Sequence, residues 1–143
     1  MKLSTRGRYG IRLLIDLAQR KKEGLVTLAS VAERQQISMR YLEQVAIILR
    51  RAGLIRSAKG SSGGYTLARA PEDIIVGDAL RELEGDMLIV DPPIAGEVET
   101  KLQRTVRRVV FDVINERVAK IIDRETLAAL AGIADGDSYM YFI

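Results

Sequence analysis

The chain of 143 residues contains no cysteine, no histidine and no tryptophan. The missing cysteines exclude disulfides, thiol switches and cysteine-held zinc or iron–sulfur centres. The missing histidines exclude Ser-His-Asp and Cys-His nucleophile systems. Carboxylate, lysine or tyrosine chemistry is left, and no paired carboxylates stand out against an apolar setting, so an enzyme is not expected. Aromatic residues are 5% of the chain, so the core must be aliphatic. No apolar run approaches the roughly 20 residues that span a bilayer. The N-terminal stretch MKLSTRGRYGIRLLIDLAQRKK carries charge through its apolar part and has no cleavage site, unlike a signal peptide. No membrane partner is expected, and cytoplasmic residence is the default.

What is present is unevenly spread. Residues 1–69 hold 14 Lys and Arg against 4 Asp and Glu, a net of +10. Residues 70–143 hold 8 against 15, a net of −7, and the two sum to the overall +3. A basic front half is the electrostatic footprint of a polyanion-binding face.

The spacing of apolar residues predicts a first helix over 6–22, with Tyr9, Leu13, Leu14 and Leu17 on its inner stripe. Thr27 is an N-cap for a short helix beginning LASVAE, and Ser38 is an N-cap for a helix beginning MRYLEQ. Gly53 ends that helix, where a left-handed residue is needed. Two capped helices joined by a short turn form a helix-turn-helix. LIRS and YTLA then alternate as strands of a hairpin whose tip is KGSSGG. The fold expected is therefore mainly α, a winged helix-turn-helix with a small β-hairpin wing. The tip is a candidate contact to a phosphate backbone, or else an ordinary flexible hairpin loop; a strand follows it where a nucleotide-binding loop would open a helix, so it is not one. Its glycines are expected to let it approach a phosphate backbone closely.

A short helix ending at Gly85 closes this first domain, residues 1–85. Residues 86–96 include Pro92-Pro93 and read as a connecting loop. Residues 97–122 read as one long helix whose stripe of Val98, Leu102, Val106, Val109 and Val113 is expected to pack against a second copy of the chain, the alternative being a core helix of a monomer. The region 97–143 is thus a dimerisation helix, a short terminal helix and a tail.

The candidate DNA contacts follow from helix-turn-helix docking, in which the second helix enters the major groove by its N-terminal end. They are Ser38, Arg40, Tyr41, Glu43 and Gln44 on that helix, Arg6, Arg8 and Tyr9 at the start of the first helix, and Lys59, Gly60, Ser61 and Ser62 on the wing. Arg40 matches guanine or a phosphate, Gln44 adenine and Glu43 the cytosine amino group. The dipole of the first helix adds to a phosphate clamp.

The stretches STRGRYGIRLLIDLA, ISMRYLEQVAIILRRAGLIRSAKGSSGGYTLA and IIVGDALRELEG resemble the signature of Rrf-type winged-helix repressors, the family of IscR, NsrR and CymR. The resemblance covers residues 1–85 closely and the long helix in kind. It implies a bacterial homodimer on a palindromic double-stranded operator. Many members carry an iron–sulfur cluster on three cysteines before the long helix. That segment here is DMLIVDPPIAGEVE, without cysteine, so cluster sensing does not carry over and no cofactor is expected. The chain is similar in kind to the cluster-free, CymR-like regulators of cysteine metabolism. Its end, Tyr141-Phe142-Ile143, resembles their aromatic, isoleucine-terminated tail. Serine acetyltransferases also end in isoleucine and dock it in cysteine synthase. These three residues are therefore a candidate docking point for that enzyme, or else they pack on the body or the dimer partner. A second reading makes the chain an interaction protein that acts chiefly on a partner enzyme through its tail.

Overall fold

The computed structural model describes residues 2–136. The tail residues Tyr141, Phe142 and Ile143 lie outside the described residues.

Helix α1 spans Thr5–Gln19, shorter than expected, and a single 3₁₀ turn, Lys21–Glu23, follows it. Helix α2 spans Leu28–Gln35 and helix α3 Met39–Arg51. Both predicted caps are in place. The Thr27 hydroxyl accepts from the Ser30 amide at 3.2 Å, and the Ser38 hydroxyl from the Tyr41 amide at 3.2 Å. Each satisfies one of the amides a helix start leaves unpaired. At the far end of α3, Gly53 has φ +76°, and its amide donates to the Arg50 carbonyl at 3.0 Å. The Leu54 amide donates to the Leu49 carbonyl at 3.0 Å, which completes a Schellman ending.

Strands β1 (Ile55–Ala58) and β2 (Gly64–Leu67) pair antiparallel, with Ile55 opposite Leu67 and Ala58 opposite Gly64. A third segment joins them. Val26 and Tyr65 exchange two backbone hydrogen bonds of 2.8 and 2.7 Å, which ties the root of the wing to the entry of α2. Helix α4 is Val76–Glu84. Apolar faces of these elements converge on Leu13, Leu14, Leu42, Val45 and Leu49, all fully buried. Burying one such side chain contributes about 1.5–3 kcal/mol.

The second half departs from expectation in three places. The long helix starts at Lys101, not at residue 97. Thr100 caps it, with the Gln103 side chain accepting from the Thr100 amide at 2.8 Å in a reciprocal capping box. Val98 therefore precedes the helix and is 93% exposed. The helix is also not uniform. α5 (Lys101–Val106) passes through a π turn, Arg107–Phe111, into α6 (Asp112–Ile122). The turn admits an extra residue, so a stripe drawn at constant helical spacing through Val106, Val109 and Val113 loses its phase there. Arg107 holds this turn: it forms a fork with Glu99 at 2.6 and 2.8 Å and reaches Asp112, five residues on, at 2.9 Å. Asn115 meanwhile fixes the connecting loop, accepting from the Ile89 amide at 2.8 Å and donating to the Val90 carbonyl at 2.9 Å.

Thirdly, helix α7 (Leu127–Asp135) packs back on α1. The Leu127 amide donates to the Ile74 carbonyl at 3.0 Å, and the Leu127 side chain is fully buried in the main core. The sequence grouped this helix with the dimerisation region; in the structure it completes the winged-helix core.

Candidate nucleic-acid interface

The amphipathic pattern of α3 decides which of its side chains face outward. Leu42, Val45, Ala46 and Leu49 are buried, and this leaves Met39, Arg40, Glu43, Gln44 and Ile47 exposed along one side. Ser38, Arg40, Glu43 and Gln44 from the sequence-derived set therefore share the N-terminal half of one exposed face. Tyr41 is half-buried; its ring meets that of Tyr9 edge-on, centroids 5.2 Å apart. A cleft of about 250 Å³ between α1 and α3 is lined by Ser4, Arg6, Tyr41, Gln44, Val45 and Ile48. The fold thus brings Arg6 together with Tyr41 and Gln44, residues 35 or more apart in the chain.

The charges needed for a polyanion are available. Arg20 and Arg34 are tied to Asp16. Arg8, Arg40, Arg50, Arg51, Arg56 and Lys59 take part in no ion pair among the described residues. Glu43 likewise has no ion-pair partner among them, so its carboxylate is not neutralised by Arg40. Lys59, Gly60, Ser61 and Ser62 are all exposed at the wing tip. The tip closes through a bond from the Gly63 amide to the Gly60 carbonyl at 3.0 Å.

Several expected roles change. The start of α1 is not an open anion site, because the Glu84 carboxylate already occupies it. Glu84 accepts from the Ser4 hydroxyl, the Ser4 amide at 3.3 Å and the Gly7 amide at 2.8 Å. Burial raises the Glu84 pKa, but these bonds and the Arg6 charge outweigh it and hold the carboxyl below its usual value. The dipole of α1 therefore supports Glu84 and adds nothing to a phosphate clamp. Arg6 commits its Nε to the Leu83 carbonyl at 2.7 Å, and Arg8 bonds Thr5 at 3.3 Å. Tyr9 is half-buried and its ring is used in packing. The Ser38 oxygen is occupied by its own helix as acceptor, which leaves its O–H as the group it can donate. The tip glycines also have a structural duty. A Cβ at Gly63 would strike the Ala58 carbonyl, and one at Gly64 would lie 2.7 Å from the Val26 carbonyl. Close backbone approach is required there within the wing at Gly63 and between the wing and Val26 at Gly64.

The sequence reading missed one cluster. Asp16 on α1 is fully buried, and it accepts from Arg34 at 2.8 and 3.0 Å and from the Gln35 side chain at 3.0 Å. Burial opposes its charge, yet the bonds from Arg34 and Gln35 and the charges of Arg34 and Arg20 prevail and lower its pKa. Arg12, one turn earlier, bonds the Gln35 carbonyl, and its guanidinium lies 5.3 Å from the centre of the Tyr9 ring. A signal existed: Asp16 sits between Leu13, Leu14 and Leu17, on the stripe that faces inward.

The second candidate surface is the long helix. None of its residues is buried; Leu102 is 73% and Val109 66% exposed, and Val113 is exposed as well, while Val106 is partly covered. An open cleft of about 760 Å³ lies between this helix and the connecting loop, lined in part by Val90, Pro93, Val98, Leu102 and Val106. No helix among the described residues is long and apolar enough to cross a membrane.

Comparison with known proteins gives a consistent result. The sequence model of the Rrf2 family, described as an iron-dependent transcriptional regulator, matches residues 3–132. The chain is 38% identical over 145 residues to the HTH-type transcriptional regulator CymR of Bacillus subtilis, with 100% of each chain covered. The solved structure of B. subtilis CymR, the global cysteine regulator of that organism, superposes with a TM-score of 0.79 at 37% identity. It covers 92% of this chain and 97% of that one. The IscR of T. potens superposes at 0.74 with 40% identity, over 99% and 96% of the two chains. As to the iron of the family description, a cluster held by thiolates or imidazoles finds no ligand in a chain without cysteine or histidine.

Proposed function

This chain belongs to the Rrf2 family of transcriptional regulators, and on that premise we propose that it is a homodimeric repressor of a palindromic operator. Two copies of the surface built by α1, α3 and the wing grip one duplex. The observation that carries this reading is the exposed, unpaired polar face at the start of α3, flanked by unpaired basic side chains and backed by a closed core.

Each α3 enters a major groove by its N-terminal half. Arg40 and Gln44 bond guanine and adenine edges, and Glu43 accepts from a cytosine amino group. The Ser38 O–H, Lys59 and the Gly60–Ser62 tip hold phosphates, with the terminal nitrogens of Arg6 and Arg8 on the strand beside α1; such contacts set register without reading sequence. Tyr41 lines the cleft between them and orients its wall. The exposed apolar side chains Leu102, Val109 and Val113, with the partly covered Val106, pack against the same helix of a second copy. That pairing sets two reading heads about 34 Å apart, one turn of duplex. Val98 joins this surface from the connecting loop, outside the helix.

The proposed regulon is sulfur and cysteine metabolism, and control does not pass through a cluster. The full-length similarity to CymR and the absence of cluster ligands support this. The tail Tyr141-Phe142-Ile143 is the proposed docking point for cysteine synthase, since a terminal isoleucine offers a carboxylate beside an apolar side chain. Deleting Ile143 and measuring affinity for the synthase tests that part; unchanged affinity rejects it.

The central experiment is a salt titration on operator fragments selected from genomic DNA, alongside sedimentation of the free protein. A specific site with a steep negative salt slope, and a dimer at micromolar concentration, are the expected results. The second reading, an interaction protein acting on an enzyme through its tail, gains if no duplex is preferred but the synthase binds.

A further inference from the structure

The turn of the helix-turn-helix is held from outside. Gln36 adopts φ +54° and ψ +49°, and is the sole non-glycine residue with positive φ among the described residues. A side chain there is disfavoured, so surrounding contacts must over-determine the turn. Those contacts converge on Gln35, the last residue of α2. Its side-chain nitrogen donates to Asp16 at 3.0 Å, and its backbone carbonyl accepts from Nη2 of Arg12. The Nε of Arg12 lies 3.5 Å from the Gln35 side-chain oxygen. The same guanidinium lies over Tyr9, 5.3 Å from its ring centre, and that ring meets Tyr41 in the first turn of α3. One side chain of α1 thus touches the residue before the turn directly and the first turn of α3 through a single ring.

We propose that Arg12 is a positioning residue for base reading, fixing where the first turn of α3 stands relative to α1, and that it is not a phosphate ligand. This rests on the DNA-binding reading above. Arg12 lies in the basic half and would pass as one more phosphate contact. Its Nε and Nη2 are instead directed at Gln35, its guanidinium lies over the Tyr9 ring, and the residue is only partly exposed. Base-edge bonds need a donor placed within a few tenths of an ångström of its acceptor. Long surface lysines and arginines reach phosphates over a wider range. Loosening the turn therefore degrades choice among sequences before it degrades grip.

The test uses full-length protein carrying Arg12→Lys, which keeps the charge but not the fork, and Arg12→Gln, which loses both. Affinity is measured against the selected operator and a scrambled duplex across a salt series. Amide exchange at Gln36 and Ile37 is followed without DNA. A positioning role predicts that both variants lower the operator-to-scrambled ratio by about tenfold, the low end of one mismatched base pair. The salt slope stays at the wild-type value, and exchange at the two amides rises. Adding Tyr9→Leu to Arg12→Gln costs less than the two effects summed, because both break one connection.

A phosphate ligand behaves otherwise. Lysine then restores binding, glutamine weakens both duplexes equally and takes about 0.9 from the slope, and exchange is unchanged. A fall in melting temperature with an intact ratio also overturns the proposal. If wild-type protein prefers no duplex, the functional reading fails by itself. The exchange arm then still reports on Arg12, and unchanged exchange overturns its hold on the turn.

Discussion

The winged-helix body and the long helix draw on the same aliphatic residues and fare differently. In the body, Leu13, Leu14, Val31, Leu42 and Val45 are fully buried. In residues 101–122, Leu102, Val109, Val110, Val113, Ile114 and Ile121 are all exposed. The apolar stripe of α1 meets α3, α4 and α7, whereas the long helix touches α4 through α6 and holds its connecting loop through Asn115. Exposing so much apolar surface in one stretch is characteristic of an interaction site. The body is therefore stabilised within one chain, while the long helix leaves an apolar face open, which the proposed dimer would cover. Substitutions in the two regions should consequently differ in how their effects depend on protein concentration.

The largest effect is expected from Leu127→Ala, which tests where the body ends. If α7 is part of the core, removing this fully buried side chain costs about 3 kcal/mol. Urea unfolding should show that loss equally at low and high protein concentration. A loss that vanishes on dilution would place α7 in the interface and break the comparison.

Next comes Val109→Glu, on the π turn. The side chain is 66% exposed in one chain, so the protomer folds as before. In a two-fold dimer the carboxylate enters the interface twice, with no partner for either. Sedimentation should show dimerisation weakened by about a hundredfold, with the far-ultraviolet spectrum of the monomer retained. An unchanged dimer would mean that this side chain faces solvent and that the pairing surface lies elsewhere on the helix.

Asp16→Asn sharpens the account of the body. At neutral pH the variant should lose about 2 kcal/mol, because the charged acceptor is replaced by one neutral oxygen and an NH2 group that cannot accept from Arg34 or Gln35. The folded protein holds Asp16 below its ordinary value of 3.8, so its contribution is fully present above that pH. It is lost as the pH falls through the lower folded value, so the gap between variant and wild type should narrow below pH 3.8. A gap constant down to acid unfolding would mean that the charge of Asp16 does not matter.

The body was also the more legible region, for physical reasons. Caps are local: Thr27, Ser38 and Gly53 act within four residues of themselves, so their types and positions sufficed. The exposed side of α3 followed from the same local pattern. Arg12 and Asp16 did not, because a charged pair four residues apart on a helix looks like a surface ion pair until α2 is laid across it. Glu84 closes the start of α1 from 80 residues away, and nothing near Ser4 announces that. At the π turn Arg107 bonds both Glu99 and Asp112, a pairing that helical spacing does not announce, and Val98 falls in the expected helix unless Thr100 is taken as its cap. The return of α7 was hidden because an all-apolar segment such as LAALAGIA suits either partner.

The smallest effects separate the two kinds of contact proposed for the reading head. Lys59→Ala removes one wing cation. By counterion release, one lost phosphate contact takes about 0.9 from the salt slope and, at about 0.15 M salt, weakens binding roughly fivefold on any sequence. Gln44→Ala should leave the slope alone and reduce discrimination at one base pair by about 1 kcal/mol or somewhat more. Measured together on operator and scrambled duplexes, the two variants make a crossed test. Lys59→Ala shifts both isotherms by the same factor, and Gln44→Ala shifts only the operator's. If Lys59→Ala instead acts on the operator alone, the wing reads sequence, and the division between a gripping wing and a reading helix fails. If neither variant changes either isotherm, the exposed face of α3 is not what meets the duplex, and the basic charge of Arg50, Arg51 and Arg56 becomes the place to look.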